Sequence, residues 1–112
     1  FEAVMPSIPE TVQLGTHFHN TRGTGLANVV AALEMGVTSF DASLGGLGGC
    51  PFAPNATGNI VTEDLAYMLG RMGFDTGLDL DALAATAEWI KRYLPDSVVG
   101  LYHRAGPFPL ST

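Results

Sequence analysis

Cysteine and basic residues are scarce in this chain of 112 residues, and each scarcity excludes a class of protein. The single cysteine, Cys50, excludes an internal disulfide and favours a reducing, cytoplasmic type of compartment. Five Lys and Arg stand against eleven Asp and Glu, and the resulting net charge of −6 argues against nucleic acid or a membrane surface as a partner. No apolar run reaches the roughly 18 residues of a membrane span, and the N-terminus carries no signal-peptide pattern.

The rest of the composition is that of a globular segment. Hydrophobic residues make up 46% of the chain and charged residues 14%, which favours a packed interior over disorder. The length suffices for one modest domain. Because the chain begins at Phe1 within a pattern typical of the middle of a helix, we expect it to be a piece of a longer protein.

A glycine-rich segment carries the single thiol. Residues 45–52 have the sequence Gly-Gly-Leu-Gly-Gly-Cys-Pro-Phe. Glycine allows positive φ angles and close approach of the backbone to a ligand, at a cost in conformational entropy. Four glycines therefore indicate a loop whose shape matters more than its stability. On such a loop Cys50 is either a reactive group or a small buried hydrophobe.

Hydrophobic spacing predicts an alternation of short strands and helices. The predicted helices cover residues 26–35, 62–72 and 78–94. The predicted strands cover residues 11–18, 37–41 and 59–61. Residues 1–8 are expected to be the end of a helix, and residues 100–112 an irregular tail. This order predicts an α/β fold with a parallel sheet and outer helices, either an open doubly wound sheet or part of a (β/α)₈ barrel.

Polar candidates fall at the C-terminal ends of the predicted strands, where both of these folds place ligand sites. His17 and His19 are two residues apart, so their imidazoles point to one face of a strand and form half of a metal site, or else they only make hydrogen bonds. Asn59 offers an amide oxygen to a hard divalent ion, although an ordinary turn residue is favoured on sequence alone. Asp41 could orient a histidine or hold the glycine loop.

Other conspicuous side chains have structural explanations. Glu63 and Asp64 suit the first turn of a helix capped by Thr62, where the helix dipole favours anions. Trp89, Tyr67 and Met68 lie within helical patterns, and we expect them only to pack.

Four segments together resemble the 3-hydroxy-3-methylglutaryl-CoA lyase family. They are residues 17–23 (His-Phe-His-Asn-Thr-Arg-Gly), 45–53, 56–59 (Ala-Thr-Gly-Asn) and 62–69. The glycine-cysteine-proline segment is the specific part, because isopropylmalate and homocitrate synthases share the His-x-His pattern but not that loop.

The resemblance implies the C-terminal portion of a (β/α)₈ TIM barrel, with residues 1–95 as the barrel segment and its C-terminal helix and residues 96–112 as a tail. It implies cleavage of the acyl-CoA substrate 3-hydroxy-3-methylglutaryl-CoA to acetyl-CoA and acetoacetate. Carried over by position, His17, His19 and Asn59 are ligands of Mg²⁺ or Mn²⁺. Cys50 is the loop thiol that takes part in proton transfer, and His17 is also counted as catalytic.

Two departures from the family pattern leave alternatives open. The chain lacks the aspartate ligand and the adjacent arginine of the first barrel strand, so it could be a non-catalytic fragment. Asn20 and Arg22 stand where compared lyases carry an acid and an aromatic residue, so the substrate could be a related acyl-CoA or a 2-oxo acid. Open strand edges also lead us to expect association with the missing N-terminal part or with another copy of the chain.

Overall fold

A strand, a helix and a second strand form the unit on which the candidate site is built. The computed structural model describes residues 1–49, 52, 55 and 57–108. Strand β1 is Gly15–His17, helix α1 is Gly25–Glu34 and strand β2 is Ser39–Asp41. The strands pair in parallel with His17 opposite Asp41, as two strands joined by a helical crossover can do. The predicted α/β character with a parallel sheet is confirmed.

Three further helices follow the sheet. Helix α2 is Thr62–Arg71, α3 is Leu80–Lys91 and α4 is Tyr102–Ala105. Helix α3 begins where the Asp79 side chain accepts a 2.9 Å hydrogen bond from the Ala82 amide. Among the described residues, no helix is both long and apolar enough to cross a bilayer.

The structure differs from the sequence expectations in several segments. Residues 59–61 form only isolated bridges, since Asn59 pairs antiparallel with His19 while Val61 pairs in parallel with Ser43, so no continuous strand develops. Residues 1–8 hold a single 3₁₀ turn, Met5–Ser7, with Pro6 at its start. The tail expected to be irregular contains α4.

A small apolar core fixes the position of residue 59. Val29 of α1, Ile60 and Leu65 of α2 are almost completely buried against one another, at 0%, 1% and 6% exposure. The Ile60 amide also donates to the Phe18 carbonyl at 3.1 Å. Full burial of one such side chain stabilises a fold by about 1.5–3 kcal/mol. Asn59 is therefore held beside the end of β1 by its neighbour in the chain.

Of the three side chains that were expected only to pack, two are packed and one is exposed. Met68 packs against the core and Tyr67 lies 5.3 Å from the Tyr102 ring, as expected for packing residues. The expectation was wrong for Trp89, which is 54% exposed. Its ring centroid lies 5.3 Å from that of Tyr93, just beyond the end of α3.

Candidate metal centre

His17 ends β1 directly beside Asp41, which ends β2. The His17 Nδ1 atom lies 3.6 Å from an Asp41 carboxylate oxygen, and both side chains are more than half exposed. A carboxylate can only accept, so this neighbour favours the tautomer with the proton on Nδ1. The Nε2 lone pair is then free to bind a metal, and Asp41 lies where the orienting role expected from the sequence would require it.

His19 has the same arrangement with a different partner. Its Nδ1 atom lies 3.1 Å from the carbonyl oxygen of Thr57, which can only accept a hydrogen bond. The His19 proton is therefore assigned to Nδ1, and Nε2 keeps its lone pair. The rings of His17 and His19 lie close together, with centroids 5.2 Å apart at an interplanar angle of 61°.

Asn59 presents an oxygen without a partner. Its amide Nδ2 donates to the Leu47 carbonyl at 2.8 Å. Its Oδ1 is buried and has no hydrogen-bond partner among the described residues. An unsatisfied buried acceptor costs about 1–3 kcal/mol, and coordination of a hard cation would satisfy it. Together with the two free imidazole nitrogens, this oxygen gives a donor set that fits a divalent metal.

The segment opposite Asn59 is a tight turn, here called the glycine turn (residues 44–48). It begins with the 3₁₀ turn Leu44–Gly46, in which Gly45 and Gly46 have positive φ angles of 64° and 78°. A Cβ atom at Gly58 would overlap the Gly46 carbonyl oxygen. The glycines are thus required both for the turn's conformation and for its close approach to the segment that carries Asn59.

Two carboxylates that the sequence assigned only to a helix start bind other parts of the chain. Glu63 is completely buried, and both its oxygens accept from the Gly45 amide at 3.1 and 3.0 Å. Asp64 accepts from the amides of Leu101 and Tyr102 at 2.7–3.0 Å. No sequence signal identifies these partners, which are 18 and 37–38 residues away along the chain.

A cleft of about 570 Å³ opens beside Asn59. The glycine turn and the segment at residues 57–59 form one side of it, and residues 96–101 form the other. The cleft is large enough to admit part of a small-molecule ligand.

The structure brings His17, His19 and Asn59 to one end of the sheet. His19 and Asn59 are bridge partners, and His17 is adjacent to His19 through its ring. Cys50 lies outside the described residues. Within the described part of the chain, no group of three or more His, Cys, Asp or Glu side chains could hold a metal, so a site here depends on the Asn59 amide.

Comparison with known proteins places these features in a family. The HMGL-like family model matches residues 1–90. The chain is 48% identical over 104 residues to the (R)-citramalyl-CoA lyase of Chloroflexus aurantiacus, covering 93% of this chain and 32% of that protein. It is 52% identical over 90 residues to the hydroxymethylglutaryl-CoA lyase YngG of Bacillus subtilis, covering 80% of this chain and 30% of that protein.

A solved structure agrees with the sequence comparisons. An HMG-CoA lyase from Acinetobacter baumannii, in complex with coenzyme A and 3-methylmalate, superposes with a TM-score of 0.88 and 47% identity over 96% of this chain and 35% of that one. The chain thus spans about a third of the length of the relatives it matches. Their family has a TIM-barrel fold and depends on a divalent metal. The chain belongs to the HMGL-like family.

Proposed function

We propose that this chain is part of a divalent-metal-dependent carbon–carbon lyase that cleaves 3-hydroxy-3-methylglutaryl-CoA to acetyl-CoA and acetoacetate. The buried, unpartnered Asn59 Oδ1 next to His19 is the observation that carries the proposal. Membership of the HMGL-like family and the likeness to lyases of this name support the substrate class. The A. baumannii protein was solved with coenzyme A, which agrees with an acyl-CoA substrate.

In this proposal His17, His19 and Asn59 hold the metal. A bound divalent ion would supply Lewis-acid polarisation of the substrate's oxygen atoms. Asp41 and the Thr57 carbonyl keep the imidazole protons on Nδ1, which presents both Nε2 lone pairs to the site. Imidazole ligands suit Mn²⁺ better than Mg²⁺, and both ions remain candidates.

The reaction needs one proton removed and one delivered. The bond between C2 and C3 of the acyl chain breaks as the 3-hydroxyl loses its proton, and its electron pair remains on C2 as the enolate of acetyl-CoA. A proton must then reach C2, and we assign its delivery to the Cys50 thiol. The support for this assignment is the position of Cys50 in the sequence, because the residue directly follows Gly49, which lines the cleft beside Asn59.

The second candidate substrate is citramalyl-CoA. The (R)-citramalyl-CoA lyase of C. aurantiacus matches 93% of this chain at 48% identity. Cleavage of the corresponding bond in this thioester would give acetyl-CoA and the 2-oxo acid pyruvate. The metal-binding and proton-transfer roles would be unchanged, since both substrates carry a tertiary hydroxyl at C3 and need the same enolate.

Turnover of the full-length protein tests both candidates. It would be supplied with each thioester and with Mn²⁺ or Mg²⁺, and acetoacetate would be measured separately from pyruvate. We expect Cys50→Ala to lower kcat by about 10²–10⁴-fold and His17→Ala to abolish metal-dependent turnover. His103→Ala, which removes a histidine of α4 outside the cleft, serves as the control. Unchanged rates in both test variants, or no cleavage of either thioester, would refute the proposal.

We further propose that the sheet is completed by the rest of a longer barrel or by a second copy of the chain. A two-stranded sheet is only marginally stable alone, and large apolar side chains such as Leu101 and Phe108 are about two-thirds exposed. Light scattering after size exclusion tests this on the 112-residue chain, where a well-folded monomer would contradict it.

A further inference from the structure

Glu63 is a buried charge whose contacts lead toward the candidate site. The side chain is completely buried in the first turn of α2. Both carboxylate oxygens accept from one donor, the Gly45 amide, at 3.1 and 3.0 Å. A buried carboxylate is costly unless hydrogen bonds compensate it. The Glu63 carboxylate accepts a hydrogen bond from the Gly45 amide, which an apolar side chain of similar size could not do.

A short relay joins Gly45 to the amide of Asn59. The glycine turn is closed internally, because the Gly46 amide donates to the Ser43 carbonyl at 2.9 Å and the Leu47 amide donates to the Leu44 carbonyl at 3.2 Å. The next carbonyl, that of Leu47, accepts from Asn59 Nδ2 at 2.8 Å. Fixing Gly45 thus fixes the carbonyl that holds Asn59.

The Leu47 carbonyl determines which end of the Asn59 amide faces the candidate site. A carbonyl only accepts, so it selects the orientation in which the NH₂ group faces the turn and Oδ1 faces away. The opposite orientation would place two N–H donors where a cation is to bind. Correct placement of the turn is therefore a condition for presenting the metal-binding oxygen.

The turn is also held from its other side. The Val99 amide donates to the Gly45 carbonyl at 2.9 Å. Val99 lies two residues before Leu101, whose amide is bound by the Asp64 carboxylate. Glu63 thus fixes Gly45 directly, and its neighbour Asp64 fixes the segment that contacts Gly45. Held from both sides, the glycine turn has little freedom to shift.

From this relay we infer that Glu63 is a positioning residue, which acts through the glycine turn to orient Asn59 for metal binding. The inference rests on the proposed function, because it takes Asn59 as a metal ligand. Glu63 itself does not touch the metal or the substrate. A merely structural Glu63 would affect the stability of the fold and leave the metal affinity of the folded protein unchanged.

The test compares Mn²⁺ affinity, measured by calorimetry on the full-length protein, with the denaturation midpoint. We expect Glu63→Ala to weaken Mn²⁺ binding about 10–100-fold, the usual effect of losing a group that orients a ligand. Glu63→Gln keeps an oxygen that can accept from the Gly45 amide, so it should restore most of the affinity. Asp79→Ala loses a comparable carboxylate-to-amide bond at the start of α3, and it should lower only the denaturation midpoint.

The outcomes separate this inference from the proposed function. Wild-type protein that binds no Mn²⁺ and cleaves neither thioester would refute the proposed function, and the role of Glu63 would fall with it. If the wild-type protein binds Mn²⁺ and Glu63→Ala binds it with the same affinity, only the positioning role is refuted. Equal losses of Mn²⁺ affinity in Glu63→Ala and Glu63→Gln would refute it as well. If Glu63→Ala does not fold, Glu63→Asp replaces it in the test, because aspartate withdraws the carboxylate from the Gly45 amide by one methylene. Weaker Mn²⁺ binding by Glu63→Asp would support the inference, and wild-type affinity would overturn it.

Discussion

Replacement of Gly46 by alanine should destabilise the protein through two separable effects. The first is backbone strain, because Gly46 has a φ angle of 78°, where a residue with a Cβ loses about 1–2 kcal/mol. The second is steric, because the new Cβ would lie 2.9 Å from Cγ2 of Val61 and 3.0 Å from Cγ2 of Val99. Both neighbours are β-branched and stiff at χ1, and such overpacking costs about 1–3 kcal/mol. The expected total is about 2–5 kcal/mol, a large part of the stability of a typical domain.

Gly36 provides the matched control. It follows α1 with a φ angle of 86°, and a Cβ there would meet nothing within 4 Å. Gly36→Ala should therefore cost only the strain of about 1–2 kcal/mol. Urea denaturation of the full-length protein and of both variants measures the difference, with the slope of the transition checked for constancy. Equal destabilisation by the two substitutions would show that the glycine turn is not tightly packed against its neighbours, and the steric argument would be wrong.

Two further predictions concern the carboxylate at the end of β2 and a phenol in α4. Asp41→Asn should weaken Mn²⁺ binding about 10–100-fold, because an amide would not hold the His17 proton on Nδ1 as firmly as a carboxylate does. Calorimetry measures this affinity, with Asp75→Asn in an exposed loop as the control. Equal affinities of the two variants would contradict the prediction. Burial, with the nearby charge of Asp81 and then Tyr67, raises the pKa of the Tyr102 phenol above its ordinary value. The folded state then holds this proton more tightly than the unfolded state, so the stability it contributes is present below about pH 10 and is lost as the pH rises through the folded pKa. Urea midpoints at neutral and alkaline pH should show a smaller alkaline loss in Tyr102→Phe, and an identical loss would refute the assignment.

The regular helices could be predicted because their signals are local. The spacing of apolar residues around Val29 predicts a helix within one residue of the observed Gly25–Glu34. The prediction for the third helix was longer than the observed Leu80–Lys91, since the chain already turns before Pro95. Strand prediction failed at residues 59–61, where the pairing partners of Asn59 and Val61 belong to different segments. Local pattern carries no information about such partners.

The candidate site was predictable in its residue types but not in its chemistry. The spacing of His17 and His19 indicated two imidazoles at a strand end, and the structure has them there. Asn59 could not be distinguished from a turn residue by sequence, because its significance lies in one oxygen that remains unpartnered after Nδ2 has bonded to Leu47. Glu63 was expected only at a helix start, since its partner Gly45 is brought near by tertiary packing.

The two anchors on the connection between α3 and α4 constrain how that connection can vary in length. Val99 is bonded to Gly45 and Leu101 to Asp64, so the chain between them is fixed at both ends. An inserted residue there would break one of the two bonds and move the wall of the cleft. Residues 92–95 carry no such pair of anchors to the turn and to α2 and do not line the cleft, so additional residues would be absorbed there at the surface. Length variation among natural or engineered versions of this chain should therefore be found before Asp96 and not between Val99 and Leu101.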